Sequence, residues 1–203
     1  SIEDANDGIR NLYVAGLQGM VLVGRRNGST FRFEQLYTVI ADSKESGVYR
    51  NRGLPLMVPW KGFVDPRDPN RVLFTYHDSM FFVSDDSGSS FRHPVGRWGW
   101  ATDVLFDPKG DRIFLAYSVG NHLESKRRTP AEAGGIAIGR DGASKWHDFG
   151  SGLPKVGPVE SLAFVRGNLC ANVYQRGVYC ASLESDKLDW QQSIPDSFRV
   201  IQL

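Results

Sequence analysis

Only two cysteines and four histidines occur among the 203 residues, and 24 basic side chains face 23 acidic ones for a formal charge of +1. Two cysteines allow one intrachain bridge at most. His77, His93, His122 and His147 share no metal-ligand spacing, so neither a metal nor a cofactor is expected. The balanced charge gives no global attraction to nucleic acid or to an anionic membrane. No run approaches the roughly 18 apolar residues of a membrane-spanning helix. The opening Ser1-Ile2-Glu3-Asp4 has neither the basic nor the apolar region of a signal peptide. Serine-nucleophile and phosphate-loop motifs are missing. The one helix-like stretch, 123–133, is interrupted by Pro130.

What the chain does have is strand and turn chemistry. Hydrophobic residues make up 41% and aromatics 12%, ample for a core, and 22 Gly and 10 Pro are scattered as short strands joined by turns require. Ser84-Asp85-Asp86-Ser87-Gly88-Ser89-Ser90-Phe91 fills every defined position of the pattern Ser-x-Asp-x-Gly-x-x-aromatic. Gly88 permits the positive φ of a tight hairpin turn. Asp86 can accept bonds from the turn's own N–H groups, Ser84 can add a second side-chain bond, and Phe91 opens the next strand with an apolar ring. Weaker copies recur. Residues 139–146 keep Asp141 and Trp146, residues 24–31 keep Gly28 and Phe31, and residues 183–190 keep only Trp190. The anchors Phe31, Phe91, Trp146 and Trp190 lie 60, 55 and 44 residues apart, the size of one four-stranded blade with its connection. A second marker repeats independently: Phe63-Val64-Asp65-Pro66 precedes Arg71-Val72-Leu73-Phe74, and Leu105-Phe106-Asp107-Pro108 precedes Arg112-Ile113-Phe114-Leu115. Leu162-Ala163-Phe164-Val165 stands likewise before Asn168-Leu169-Cys170-Ala171.

Through these residues the chain resembles the BNR/Asp-box superfamily of β-propellers over most of its length. The run from Asp65 to Arg71 followed by the box at 84–91 is especially similar to blades of sortilin-type receptors and xyloglucanase-like glycoside hydrolases. The resemblance implies an all-β fold: one β-propeller domain over 1–203, with about four four-stranded antiparallel blades near 8–36, 56–95, 98–150 and 156–194. The first blade lacks an inner strand. Residues 197–203 would supply it and close a ring by pairing the termini; a fragment of a larger propeller fits the same residues. The superfamily holds sialidases, endoglucanases, sorting receptors, photosystem-assembly factors and phage tail proteins, so fold does not fix function. Ser84, Asp86, Gly88, Phe91, Asp141 and Trp146 belong to the scaffold in this reading.

Function is expected on the face opposite the box turns, where two long connections lie. One, 38–55, carries Tyr49, Arg50 and Arg52; the other, 118–134, carries Lys126, Arg127 and Arg128. Loops beyond about 12–15 residues are usually functional or disordered, and the basic run suits an anionic contact or a solvated loop tip. Trp60, Trp98 and Trp100, with Arg97 beside them, fall at or before inner strands, where flat rings can stack on sugars or pack between blades. Aligning the Asp-Pro turns puts Trp60, Thr102 and Glu160 at one inner-strand position and Lys61, Asp103 and Ser161 at the next, so Asp103 and Glu160 are the weak candidates for a glycosidase acid–base pair across the mouth, although such residues more often bond a neighbouring strand. A sialidase-like site would need an arginine triad; Arg50, Arg97 and Arg199 are present, but no motif assigns them that role. Cys170 and Cys180 are placed opposite each other on adjacent strands. A disulfide there is feasible and would favour an oxidising, extracellular or secretory compartment; two reduced, buried thiols fit the same placement. The expected function is a non-catalytic module binding a glycan or protein partner, with a glycoside hydrolase and a structural subunit of a larger assembly as alternatives.

Overall fold

A computed structural model describes residues 11–15, 21–35, 38–40, 48–50, 59–76, 81–93, 100–119, 133–140, 145–148, 152–155, 157–184 and 188–195. Among the described residues every regular element is a strand. Asn11–Ala15 (β1), Val21–Asn27 (β2) and Thr30–Gln35 (β3) pair antiparallel in that order. Thr38–Ile40 (β4) and Val48–Arg50 (β5) form a two-stranded ribbon. Pro59–Asp65 (β6), Asp68–Tyr76 (β7) and Phe81–Ser84 (β8) make the next sheet. Reciprocal main-chain bonds of 2.9 Å between Val83 and Arg92 extend its outer edge. Trp100–Phe106 (β9), Ile113–Val119 (β10), Ala133–Arg140 (β11) and Lys145–Asp148 (β12) form a four-stranded sheet, and Val159–Val165 (β13), Asn168–Val173 (β14), Gly177–Ser182 (β15) and Gln191–Ile194 (β16) form another. Each follows the chain outward strand by strand, which is the blade architecture of a propeller.

Two differences from the sequence reading stand out. The stretch 38–55, read as a loop, contains the β4–β5 ribbon; the β-branched Thr38, Val39, Ile40 and Val48 favour it. The second blade's fourth strand is reduced to the single Val83–Arg92 bridge. The closing strand expected from 197–203 lies outside the described residues.

Tertiary contacts divide the chain into two compact units, one of Ser1–Phe74 with Phe82–Arg92, the other of Thr75–Phe81 with His93–Leu203. In the first unit the Phe74 ring lies 6.1 Å from Tyr13 and 5.7 Å from Phe91. In the second, the third and fourth blades stack. Phe114, Ala116, Ile136 and Ile138 of one sheet meet Leu162, Leu169, Ala171 and Ala181 of the other, with Leu188 and Trp190 completing the cluster. Burying each large aliphatic or aromatic side chain stabilises the fold by about 1.5–3 kcal/mol.

The stacking shows in the strand patterns. Residues 113–118 of β10 are buried without a break, as a strand covered on both faces requires. Along β13 burial falls away instead, from buried Val159 to exposed Ala163 and Val165, because one face of the fourth sheet is open. Both inner strands carry a bulge at the same place. The β9–β10 register steps from Asp103↔Ala116 to Ala101↔Tyr117 and leaves Thr102 extra. The β13–β14 register steps from Ser161↔Asn172 to Val159↔Val173 and leaves Glu160 extra. A bulge re-aims side chains that a regular strand would alternate.

Gly134, at the start of β11, sits where a Cβ would come within 2.8 Å of the Pro158 Cα, the Tyr117 carbonyl oxygen and the Val159 nitrogen, all main-chain atoms. Gly134→Ala is therefore expected to force the third and fourth blades apart and lower stability by about 1–3 kcal/mol, seen as a reduced urea midpoint at unchanged slope.

Candidate binding site

The Ser84–Phe91 turn is built from its own side chains. The Ser84 hydroxyl donates to Asp86 Oδ1 at 2.8 Å and accepts the buried Gly88 N–H at 2.8 Å. Asp86 Oδ1 accepts the Ser90 N–H at 2.8 Å, and Oδ2 accepts the Ser90 hydroxyl at 2.6 Å. Ser87 and Gly88 both take positive φ, 57° and 82°. The Ser87 N–H reaches the Asn70 carbonyl at 2.9 Å, so this turn and the β6–β7 turn lie on one side of the blade. Between them runs an ionic chain. Arg67 and Arg71 bond Asp65 at 2.8 and 3.2 Å, and Arg71 and Arg92 each bond Asp85 at 2.9 Å. In the third blade Arg112 bonds Asp107 at 2.6 Å and donates to the Leu183 carbonyl of the fourth blade at 3.1 Å. All of this holds turns in place. Every carboxylate in it is already paired, and the turn side offers scaffold rather than chemistry.

On the inner strands the two candidate acids part company. The bulge turns consecutive side chains of β9 toward β13: the Thr102 hydroxyl donates to the Val159 carbonyl at 2.6 Å, and Asp103 Oδ2 accepts the Leu162 N–H at 2.9 Å. Asp103 is 7% exposed. A general acid or base must face its substrate, whereas this carboxylate faces a buried main-chain donor. Of the two roles the sequence allowed Asp103, the structure shows the bond to a neighbouring inner strand. Glu160, on the other bulge, is half-buried and accepts from the Asn172 amide at 3.4 Å.

Of the two roles the sequence allowed Trp100, its burial fits packing in the interior. It is 4% exposed at the start of β9, so its ring belongs to the interior and offers no face for stacking a sugar. Of the other expected ligand contacts, Trp60 lies on β6, and Tyr49 and Arg50 on β5. Arg52, Arg97, Trp98, Lys126, Arg127 and Arg128 lie outside the described residues, as does Asp141. Trp146 lies across Gly139, where an added Cβ would meet the ring at 2.8 Å, and contacts Phe81 at a centroid distance of 4.7 Å. Among the described residues no three His, Cys, Asp or Glu side chains could together hold a metal ion.

The open face of the fourth sheet carries a hollow of about 390 Å³. Its floor is the Cys170–Cys180 disulfide, which joins residues directly opposite each other on β14 and β15. Val165, Val178 and Ile194 wall it; Ser161, Arg166, Asn168 and Asn172 bring polar groups to it. Val165 is 47% and Ile194 39% exposed. Sequence reasoning missed this hollow. Its signal is an unusual run of small and amide side chains, Ser161, Ala163, Asn168, Cys170 and Asn172, at alternate positions of two strands.

No protein-family model matches the chain, and no curated protein does. Solved structures match it. One is YCF48 bound to a D1 peptide, at 14% identity and a TM-score of 0.52, over 90% of this chain and 49% of that one. Another, from the nidogen/laminin complex, has 13% identity and a TM-score of 0.52 over 90% and 59%. The computationally designed Ika4 protein has 11% identity and a TM-score of 0.51 over 87% of each chain. The fold is of the β-propeller class. At these identities the likeness is one of fold alone, and the chain spans about half the length of the YCF48 chain.

In this propeller the ionic chain makes stability depend on pH. Burial pushes the Asp65 and Asp85 carboxyls up, but hydrogen bonds and charge from Arg67 and Arg71 on the one, and Arg71 and Arg92 on the other, outweigh it and leave both below the ordinary value of 3.8. A carboxyl depressed in the folded state contributes its full stabilisation above the unfolded-state value and loses it as pH falls through the folded one. Stability should hold from neutrality to about pH 5 and decline below about pH 4. Thermal melts from neutral to acid pH check this: Asp65→Asn should melt lower at neutral pH and show a shallower decline in acid.

Proposed function

We propose that the chain is a non-catalytic binding module of the Asp-box propeller class, and that its ligand is a protein. The carrying observation is the Asp103 carboxylate, spent on the Leu162 N–H at 2.9 Å in a buried setting. Glycoside hydrolysis needs two carboxylates flanking one bond, and among the described residues this bond commits one member of the Asp103–Glu160 pair to the framework. An apolar hollow ringed by amides and a hydroxyl supports a peptide ligand, since pockets of this kind bury one apolar group and orient it with a few polar contacts. The YCF48 structure, with its D1 peptide, and the nidogen/laminin complex are propeller neighbours engaged with polypeptides, which lends the reading weight by analogy. The disulfide favours an oxidising, extracellular or secretory location.

Parallel screens test this. The immobilised protein is offered a display library of random dodecapeptides and a glycan array. Enriched peptides without glycan hits are expected. Glycan binding, or glycoside hydrolysis abolished by Asp103→Asn in a normally folded variant, overturns the proposal. Structurally, Asp103→Asn keeps an acceptor for Leu162, whereas Asp103→Ala leaves that buried N–H unpaired and should cost about 1–3 kcal/mol.

A further inference from the structure

The apex of the β2–β3 hairpin carries a reactive pair of residues. Asn27 is followed by Gly28, the single Asn-Gly pair in the chain. The register pairs Asn27 with Thr30, so Gly28 and Ser29 form a two-residue loop, and Gly28 takes a φ of 63°. The primed hairpin turns demand that positive φ, and glycine supplies it without steric cost. Residues 26–30 are all exposed, and a Cβ at Gly28 would meet nothing within 4 Å. Two exposed bonds hold the apex. Arg26 Nε donates to the Gly28 carbonyl at 2.9 Å, and the Thr30 hydroxyl donates to the Asn27 carbonyl at 3.0 Å. Neither engages the Asn27 side-chain amide, which no described residue bonds.

The other asparagines among the described residues are placed differently. Asn70 Oδ1 accepts the Ser87 hydroxyl at 2.9 Å, and the Asn172 amide donates to Glu160 at 3.4 Å. Leu12, Arg71, Leu169 and Val173 follow Asn11, Asn70, Asn168 and Asn172, and each sets a side chain beside the main-chain nitrogen. Gly28 sets none. At the hairpin apex an amide carbon, an electrophile, thus stands next to an unhindered main-chain nitrogen. Once hydroxide has taken its proton, the Gly28 nitrogen attacks the Asn27 side-chain carbonyl carbon. A C–N bond forms and closes a succinimide, the bond to the amide nitrogen breaks, and that nitrogen leaves as ammonia with a proton from water. Water then opens either imide carbonyl. Opening at the side-chain carbonyl gives aspartate; opening at the main-chain carbonyl reroutes the chain through the side-chain carbon as isoaspartate. The extended Asn27 must leave its register for these atoms to meet, and an exposed hairpin end held by few bonds opens at low cost.

We propose that Asn27 is a site of spontaneous deamidation, and that the isoaspartate formed there loosens the first blade's hold on the second. The consequence follows from position. Isoaspartate adds a carbon to the main chain where a two-residue loop has no spare length, and either product puts a carboxylate beside Arg26. Arg25 stands next along β2. It bonds Glu34 of β3 at 3.0 Å and donates to the Ser87 carbonyl of the second blade's Asp-box turn at 3.4 Å. All of these residues belong to one compact unit. A change of register at Asn27 displaces the strand that carries Arg25, and with it the contact to Ser87.

The folded protein is aged at neutral and mildly alkaline pH in water enriched in heavy oxygen, which marks conversion that occurs during the incubation. Mass spectrometry of its peptides locates each converted asparagine, and methyl transfer by an isoaspartyl methyltransferase counts the isoaspartate. Asn27→Gln is aged beside wild type, because glutamine closes the larger ring far more slowly. Residue 27 is exposed, so the fresh variant should melt with fresh wild type. In wild type, Asn27 should convert at least about tenfold faster than any other described asparagine, faster still as pH rises, with isoaspartate the larger product. Converted wild type should melt about 2–4 °C below fresh protein, whereas aged Asn27→Gln should melt as it did when fresh. An Asn27 that keeps its amide through the incubation, whichever other asparagine converts, overturns the site. Full conversion with an unchanged melt overturns the loosening of the blades.

Discussion

A β-sheet that is apolar on both faces is stable in water only between two neighbours, and the arrangement of the third and fourth blades follows from that constraint. The third blade satisfies it fully. Ile113, Leu115 and Ala137 are buried on one face, Phe114, Ala116 and Ile136 on the other. Stacking alone would let two such sheets slide, because dispersion and area burial have little direction. Direction comes from the bulge at Thr102, which aims two consecutive polar side chains at the main chain of β13. Those bonds are buried, so leaving either partner unmade would cost about 1–3 kcal/mol, and they set the fourth blade's position along the third.

The fourth blade meets the same constraint differently. Its outer face retains the repeat's register but not its bulk: a covalent bond stands where a Phe–Ile pair would need cover, and amides stand where aliphatic side chains would. A disulfide closing a loop of this length adds about 2–3 kcal/mol in the chain-entropy account. That is comparable with what one buried aliphatic side chain contributes by packing.

Much of this was legible in the residue string, and the reasons are specific. Strand boundaries followed from Asp-Pro turns and from the aromatic anchors, because turn chemistry is local and written in a few residue types. The alignment of Thr102 with Glu160 came from the Asp-Pro turns alone, and the structure places a bulge at both residues, which the residue string did not announce. The partner of Asp103 was not legible. Leu162 lies 59 residues away, and a carboxylate reads the same whether it faces substrate or a neighbouring N–H. Trp100 stayed two-sided for a related reason: placing a residue at a strand's start does not say which face its ring takes. The hollow escaped because it is made by residues that are too small, and sequence motifs record what is present more readily than what has been withdrawn.

The same blade position therefore carries opposite chemistry according to its neighbour. At Asp103 a full negative charge is tolerable because it has a fixed donor, the Leu162 N–H, already delivered by the chain. At Ser161, the same position of the fourth blade, a hydroxyl stands instead, able to donate or to accept. The Ser84–Phe91 turn, for its part, spends its side chains on its own main chain and on the framework of its blade.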